Sequence, residues 1–503
     1  MVRNPQLLIT VTLLMVASAA LGQGINFHYL DGVLVSEDGD QFGQVVASGD
    51  FDGDGRGDRV IGVPSKSLDG VVSAGVVQVT YGDGPATRQI LRPEVSGWPL
   101  EQGLGFGTAL VSMDLNGDIY DDLIVGVPGA SVNGSNVGAI EIWVGGPDGL
   151  TFSTRWFQDE SPQQPGARFG ASLAAHDNKL FIGAPGAIVD GEAAGAVYYA
   201  TRGPFFGFCV NGRIDQSLSG VPGVSESGDG WGTSLATRAA DGGDSYLLVG
   251  APAEDIGSVV DAGAVWHLLV TSSSVCTGPE ASVVSAMSFH QGDGAVPGAA
   301  ETNDQFGAAV AYGRFRAATP FDIVIGVPRE DWDAKGLGDT GCVYIFFGTS
   351  PSACFFAGNL SILLSAKPGQ LTGSALASGR DWNLDGYEDL LVGIPGDDGE
   401  EFGRAGSVAL LNGSPSGIAT AWTLNLNSSA TSFGNYGSSV AFVGSRRPGL
   451  TQLDILIGEP GYDDQIDGVD RAGRATTTFL PIGMIFGDGF ESGDLSEWDA
   501  EVR

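Results

Sequence analysis

Seven times along this chain an apolar run closes on Gly-x-Pro, at Gly62, Gly126, Gly183, Gly250, Gly326, Gly393 and Gly458. The separations are 64, 57, 67, 76, 67 and 65 residues, the signature of a repeat array in which each copy is one supersecondary unit. Dividing the 503 residues into domains of ~150 is therefore the wrong arithmetic. About twenty residues before each tripeptide sits an aromatic–glycine pair or its equivalent: Phe42–Gly43, Phe106–Gly107, Phe169–Gly170, Trp231–Gly232, Phe306–Gly307, Thr372–Gly373 and Tyr436–Gly437.

After each tripeptide a polar turn leads into another strand that opens on small residues around Gly75, Gly138, Gly195, Gly263, Gly341, Gly406 and Gly473. Room for one more strand follows, as at Arg88 to Leu91 or 421 to 426, so each unit supplies four. A four-stranded unit of this length cannot bury both faces alone, and seven of them pack radially. The predicted fold is all-β, a seven-bladed β-propeller of four-stranded antiparallel blades. Eighty glycines and 43% hydrophobic residues, with 17% charged, agree with many short strands joined by turns. Runs such as Leu123, Ile124 and Val125 suit strands covered on both sides. The last unit stops after its third strand, and the stretch from Ile25 to Leu34 is placed to supply the missing one and close the ring.

Three units carry a complete acidic loop before the strand that ends in Gly-x-Pro. The ligand positions 1, 3, 5 and 9 are Asp50, Asp52, Asp54 and Asp58 in the first unit, Asp114, Asn116, Asp118 and Asp122 in the second, and Asp381, Asn383, Asp385 and Asp389 in the sixth. Backbone carbonyls of Arg56, Tyr120 and Tyr387 are placed for position seven. All-oxygen sets of this irregular kind suit Ca2+ better than magnesium, giving about three sites of weak affinity. No glutamate stands at position 12, so these are not EF-hands. The other four units have lost the pattern and are expected to bind no ion. Ile119 replaces a glycine of the first loop, which predicts a distorted turn in the second.

The aromatic–glycine pair, acidic loop, Gly-x-Pro strand and glycine-opened strand together resemble the FG-GAP repeat family, over residues 25–482. That family forms the seven-bladed propeller of integrin α subunits and of many exported bacterial proteins. The resemblance implies a binding or adhesion module whose partner, an extracellular protein or glycan, docks on the face opposite the calcium loops. An integrin receptor proper is not expected, since the chain shows no later apolar run of bilayer length and no room for leg domains. Arg56-Gly57-Asp58 matches a tripeptide that integrins bind, but Asp58 as a metal ligand would turn its carboxylate inward.

The formal charge of −36 disfavours nucleic acid and anionic membrane surfaces. Residues 1–22, with Arg3 ahead of an apolar run ending in small residues, read as a cleaved signal peptide. The expectation is a secreted or surface protein, bacterial in source, and a monomer. Four cysteines in such a protein suggest two disulfides, with Cys342–Cys354 and Cys209–Cys276 favoured. Residues 483–503 are acidic and hold Phe486, Phe490 and Trp498, which suits either a sorting tag or a tail packed on the ring. No G-x-S-x-G, H-E-x-x-H or P-loop motif is present, and the four histidines, His28, His176, His267 and His290, are scattered over different units. The alternative function is an extracellular hydrolase or lyase using acidic loop residues at the channel mouth.

Overall fold

The structure is a computed structural model and describes residues 25–27, 37–82, 88–158, 164–202, 208–271, 282–292, 294, 296–316, 321–348, 350–351, 355–356, 367–397, 405–418, 434–444, 454–462 and 473–479. Seven antiparallel blades follow one another along the chain. Blade one orders Val45–Gly49, Asp58–Val63, Val76–Thr80 and Arg88–Leu91 from the inside outward. Blades two, three and four repeat this with four strands each. In blade five the outer strand is split into Ser350–Pro351 and Phe355–Phe356. Three strands of blade six are described, and the fourth, expected at 421–426, lies outside the described residues.

Blade seven consists of Ser439–Val443, Asp454–Glu459 and Arg474–Phe479, and its outer edge is covered by Ile25–Phe27. That pairing sets Ile25 opposite Thr477 and Phe27 opposite Ala475, so the two ends of the chain complete one sheet. The ring also closes at its centre, where Val45–Gly49 packs against both Leu110–Met113 of blade two and Ser439–Val443 of blade seven. Second strands such as Asp58–Val63, Asp122–Val127 and Asp389–Ile394 are buried along their whole length. Neighbouring blades cover both faces, which is why these strands are apolar along most of their length.

The two glycine motifs meet at every blade boundary. A Cβ on the tripeptide glycine would lie 1.8–2.4 Å from the carbonyl oxygen of the next blade's aromatic-pair glycine, from Gly62 against Gly107 round to Gly458 against Gly43. Only glycine permits that approach. The aromatic-pair glycines have a separate reason, since Gly43, Gly107 and Gly170 all sit at φ +88°, in the left-handed region.

Register fixes which features share a face. Val45 pairs with Gly62 and Gly49 with Asp58, so the tripeptide and aromatic pair lie at one end of each blade and the acidic loop at the other. The expected pairings of Cys342 and Cys209 involve Cys354 and Cys276, which lie outside the described residues, as do 1–24 and 480–503.

Candidate metal centre

In the first loop, carboxylate oxygens of Asp50, Asp52 and Asp58 all lie within 4.8 Å of one another. The chain turns tightly enough to do this because Gly53 and Gly55 take φ +71° and +83°. The loop's own amides hold the acids in place: Asp54 donates to Asp52 Oδ1 at 3.1 Å, Gly55 to Asp50 Oδ2 at 3.2 Å, and Arg56 to Asp54 Oδ1 at 2.7 Å. Asp50 is 4% exposed, yet its Oδ1 has no hydrogen-bond partner. A buried carboxylate oxygen left without a donor is what a cation would satisfy, so the donor set fits a hard ion.

The charges of this cluster are costly without an ion. Burial pushes Asp58 up to about 7, offset in part by the amides of Gly82 and Phe51, with Asp52 and Asp50 adding to the rise. Asp50 is raised for the same first cause. Asp122 in the second loop is pushed up to about 6 and Asp389 in the sixth to about 7, again by burial.

The second and sixth loops hold their residues more openly. Asp114 Oδ1 accepts from Gly117 at 2.6 Å, Asn116 Oδ1 from Asp118 at 2.9 Å, and Asp118 Oδ1 from Tyr120 at 2.8 Å. Asp381 accepts from Asp385 and Gly386 at 3.0 and 2.8 Å, while Asp385 Oδ1 accepts from Tyr387 at 3.0 Å. In both, the asparagine amide donates to the position-five carboxylate, at 2.7 Å in Asn116–Asp118 and 2.9 Å in Asn383–Asp385. Ile119 stays out of the left-handed region that Gly55 and Gly386 occupy, so the second loop does depart from the other two there. Leu384 instead takes φ +58° where the other loops have glycine.

The ninth-position aspartate has a role that its place in a ligand pattern conceals. Asp58 Oδ2 accepts from Phe51 and Oδ1 from Gly82, both at 2.8 Å, tying the loop to the end of the third strand. Asp122 repeats this with Leu115 and Gly145, and Asp389 with Trp382 and Gly413. Blade five keeps the same bonds, from Phe315 and Gly348 to Asp322, although the rest of its acidic loop is gone. This residue is a backbone staple in its own right. It is also why Asp58 is buried and unavailable as the tip of an exposed Arg-Gly-Asp.

Position eight ties neighbouring loops together. Asp121 Oδ2 accepts from the Asp50 amide at 2.8 Å and its own amide returns a 2.8 Å bond to the Asp50 carbonyl. Glu388 does the same with Arg314, at 2.8 and 3.0 Å. The sequence signal was an acid directly before Asp122 and Asp389. Asp50, Asp114 and Asp121 then line a cavity of about 360 Å³ at the channel mouth, with His176, Asp177 and Arg380 from other blades. His176 is wedged between blades, 3.0 Å from Thr237 Oγ1, and burial lowers it to about 4.

A sequence description of the FG-GAP repeat matches residues 106–143, the stretch of blade two from its aromatic pair through the second acidic loop to Trp143. The chain carries an FG-GAP repeat in blade two. Its propeller is similar to integrin alpha-PS3 of Drosophila melanogaster, 32% identical over 164 residues that cover 30% of this chain and 14% of that protein. Integrin alpha-PS5 of the same organism is 32% identical over 163 residues, 30% of this chain and 15% of that one. The chain thus spans only a small part of the length of these relatives. Among solved structures, the NanB sialidase from Streptococcus pneumoniae aligns over 90% of this chain and 70% of that one at 10% identity and TM-score 0.41, too loose a likeness to bear on function. Among the described residues no helix is long and apolar enough to cross a membrane.

Proposed function

We propose that this propeller is an exported, calcium-stabilised binding module. Calcium occupies the first, second and sixth loops, with the first the strongest site. An extracellular protein or glycan is the ligand, taken on the face opposite those loops. The observation that carries the metal reading is the converging trio Asp50, Asp52 and Asp58, with the unpartnered buried Oδ1 of Asp50. The ion stiffens the turn between the first two strands of a blade, so that ligand binding on the far face depends on it only through the fold. The repeats occupy residues 25–482, between a leader of 22 residues and an acidic tail, and Cys342–Cys354 and Cys209–Cys276 are the proposed disulfides.

The test is a thermal melt of the purified chain with and without calcium, alongside Asp52→Ala and Asp385→Ala. Calcium is expected to raise the melting temperature, and the double variant to lose most of that gain. No rise with the parent chain, or a full rise with the variant, overturns the assignment. Screening against extracellular matrix proteins, glycans and chromogenic substrates then separates binding from turnover.

A further inference from the structure

Of the three acidic loops, only the first and second stand in neighbouring blades, and there they touch. Position eight of the second loop is Asp121, and it holds position one of the first: Oδ2 takes the Asp50 amide and the Asp121 amide returns to the Asp50 carbonyl, both at 2.8 Å. Two further contacts join the same loops. A Cβ on Gly53, in the turn of the first loop, would stand 2.6 Å from Cε1 of Tyr120 and 3.5 Å from Cδ1 of Ile119, so these second-loop side chains roof the first loop. Asp122 Oδ1 accepts from Gly145 at 2.9 Å, and the next amide, Gly146, donates to the Phe51 carbonyl at 3.0 Å.

The sixth loop has no such neighbour. Its position-eight Glu388 binds Arg314 of blade five, at 2.8 and 3.0 Å, where the acidic pattern is gone. Leu384, at the place of Gly53, is 55% exposed. Position eight of the first loop is Gly57, where a Cβ would stand 2.5 Å from the carbonyl oxygen of Gly444 in blade seven, another blade without the pattern. Among the described residues, contact between two complete loops is found only between the first and second.

The residues that make this contact are flanked by second-loop ligands. With Tyr120 as the position-seven carbonyl and Asp122 as the position-nine acid, an ion in the second loop grips the chain on both sides of Asp121. Fixing that segment fixes the bonds to Asp50 and the cover over Gly53 before the first loop is filled. The ordering cost then falls on one ion instead of two. Repulsion between the ions is limited, because Asp114, Asp118 and Asp122 outweigh one divalent charge and leave the filled second loop negative.

We propose that the first and second loops bind calcium as a coupled pair, each ion strengthening the other's site, with Asp121 as the residue that positions Asp50, and that the sixth loop binds alone. This rests on the calcium assignment of the three loops.

The test is calcium titration of the full chain by isothermal calorimetry, with Asp385→Ala throughout to disable the sixth loop. Adding Asp118→Ala leaves the first loop alone, and adding Asp52→Ala instead leaves the second. The coupling factor is the overall two-ion binding constant of the two-loop chain divided by the product of the two single-loop constants. It is expected to be about 5-fold or more, by reciprocity the same seen from either loop. Repeating the three titrations with Asp121→Ala should bring the factor close to one, whereas Asp121→Asn, whose Oδ1 can still accept from Asp50, should keep it. An Asp121 that only braces the fold would lower the melting temperature in chelator and leave the factor unchanged, which overturns its positioning role. A factor of one in the parent loops overturns the coupling while leaving the calcium assignment standing, and that comparison decides even if Asp121→Ala does not fold. No calcium uptake by any of the chains overturns both.

Discussion

Arg59 of the first blade sets Nη2 2.6 Å from Asp454 Oδ2 of the last, with side chains 2% and 9% exposed. The same guanidinium donates to the Gly82 carbonyl at 2.5 Å and to Thr477 Oγ1 at 3.1 Å, so one side chain spans the seam where the ring closes. Removing one member of such a pair strands a buried charge, which typically costs about 3–5 kcal/mol, whereas an apolar pair of similar volume costs little. Asp454→Ala is therefore expected to lower the melting temperature sharply. Arg59→Met with Asp454→Leu should recover most of the loss in the same circular-dichroism melt. Equal destabilisation by the single and double variants would show that the seam does not depend on the charge.

The blade boundary offers a steric counterpart. Gly126 has an ordinary negative φ, yet a Cβ there would stand 2.1 Å from the Gly170 carbonyl oxygen. Gly126→Ala must push two blades apart and is expected to cost about 1–3 kcal/mol or more. Gly146 is the control, because the nearest atom to an added Cβ is 3.8 Å away. Gly146→Ala should melt with the parent protein.

Asp322 separates scaffold from metal chemistry. It keeps the two backbone bonds of the ninth position in a blade without a complete acidic loop. Asp322→Ala leaves the amides of Phe315 and Gly348 unpaired, a loss of about 1–3 kcal/mol for the buried Phe315 donor and less for the half-buried Gly348. The expected outcome is a lower melting temperature with an undiminished rise on adding calcium. Asp52→Ala should show the reverse, a small loss in chelator and a reduced calcium response.

Much of this architecture was legible in the sequence because its cause is local and repeated. Gly62 and Gly107 are required by contacts that recur at every boundary, so their spacing counts the blades and sets their ends. The split outer strand of blade five left no such mark, since an edge strand has no neighbouring blade to dictate its residues. In the first loop Asp50, Asp52 and Asp58 of the pattern converge, but the pattern does not say what each acid does. Asp58 and Asp322 look different in sequence, one inside a ligand pattern and one outside it, yet they make the same two bonds. The exchange of Lys66, two residues past Pro64 in blade one, for Glu254 and Glu330 at the same place in blades four and five was hidden for another reason. It relates two positions in each blade that meet only after the first two strands have folded together.

The buried acids set the response to pH, and their sign can be worked out. Glu141 is pushed up to about 7, Asp304 to about 7, Asp229 to about 6, and Glu254 and Glu330 to about 8, in each case chiefly by burial. Asp58, Asp122 and Asp389 move the same way. Unfolded carboxyls release their protons near pH 4, so between about 4 and 8 the folded chain holds protons that the unfolded chain has lost. Stability from these groups is complete below pH 4 and falls as pH rises through the folded values. His176 and His267, both lowered to about 4 by burial, act oppositely, but only between about 4 and the unfolded value near 6.5. Above pH 6.5 the histidines no longer contribute. In metal-free buffer the melting temperature should therefore fall from pH 6.5 to pH 8. Calcium requires ionised carboxylates and competes with those protons, so its stabilising effect should grow over the same range. Melts at the two pH values, with and without calcium, check both statements. A metal-free melting temperature that rises toward pH 8 would mean that these acids are ionised in the folded chain without a cation.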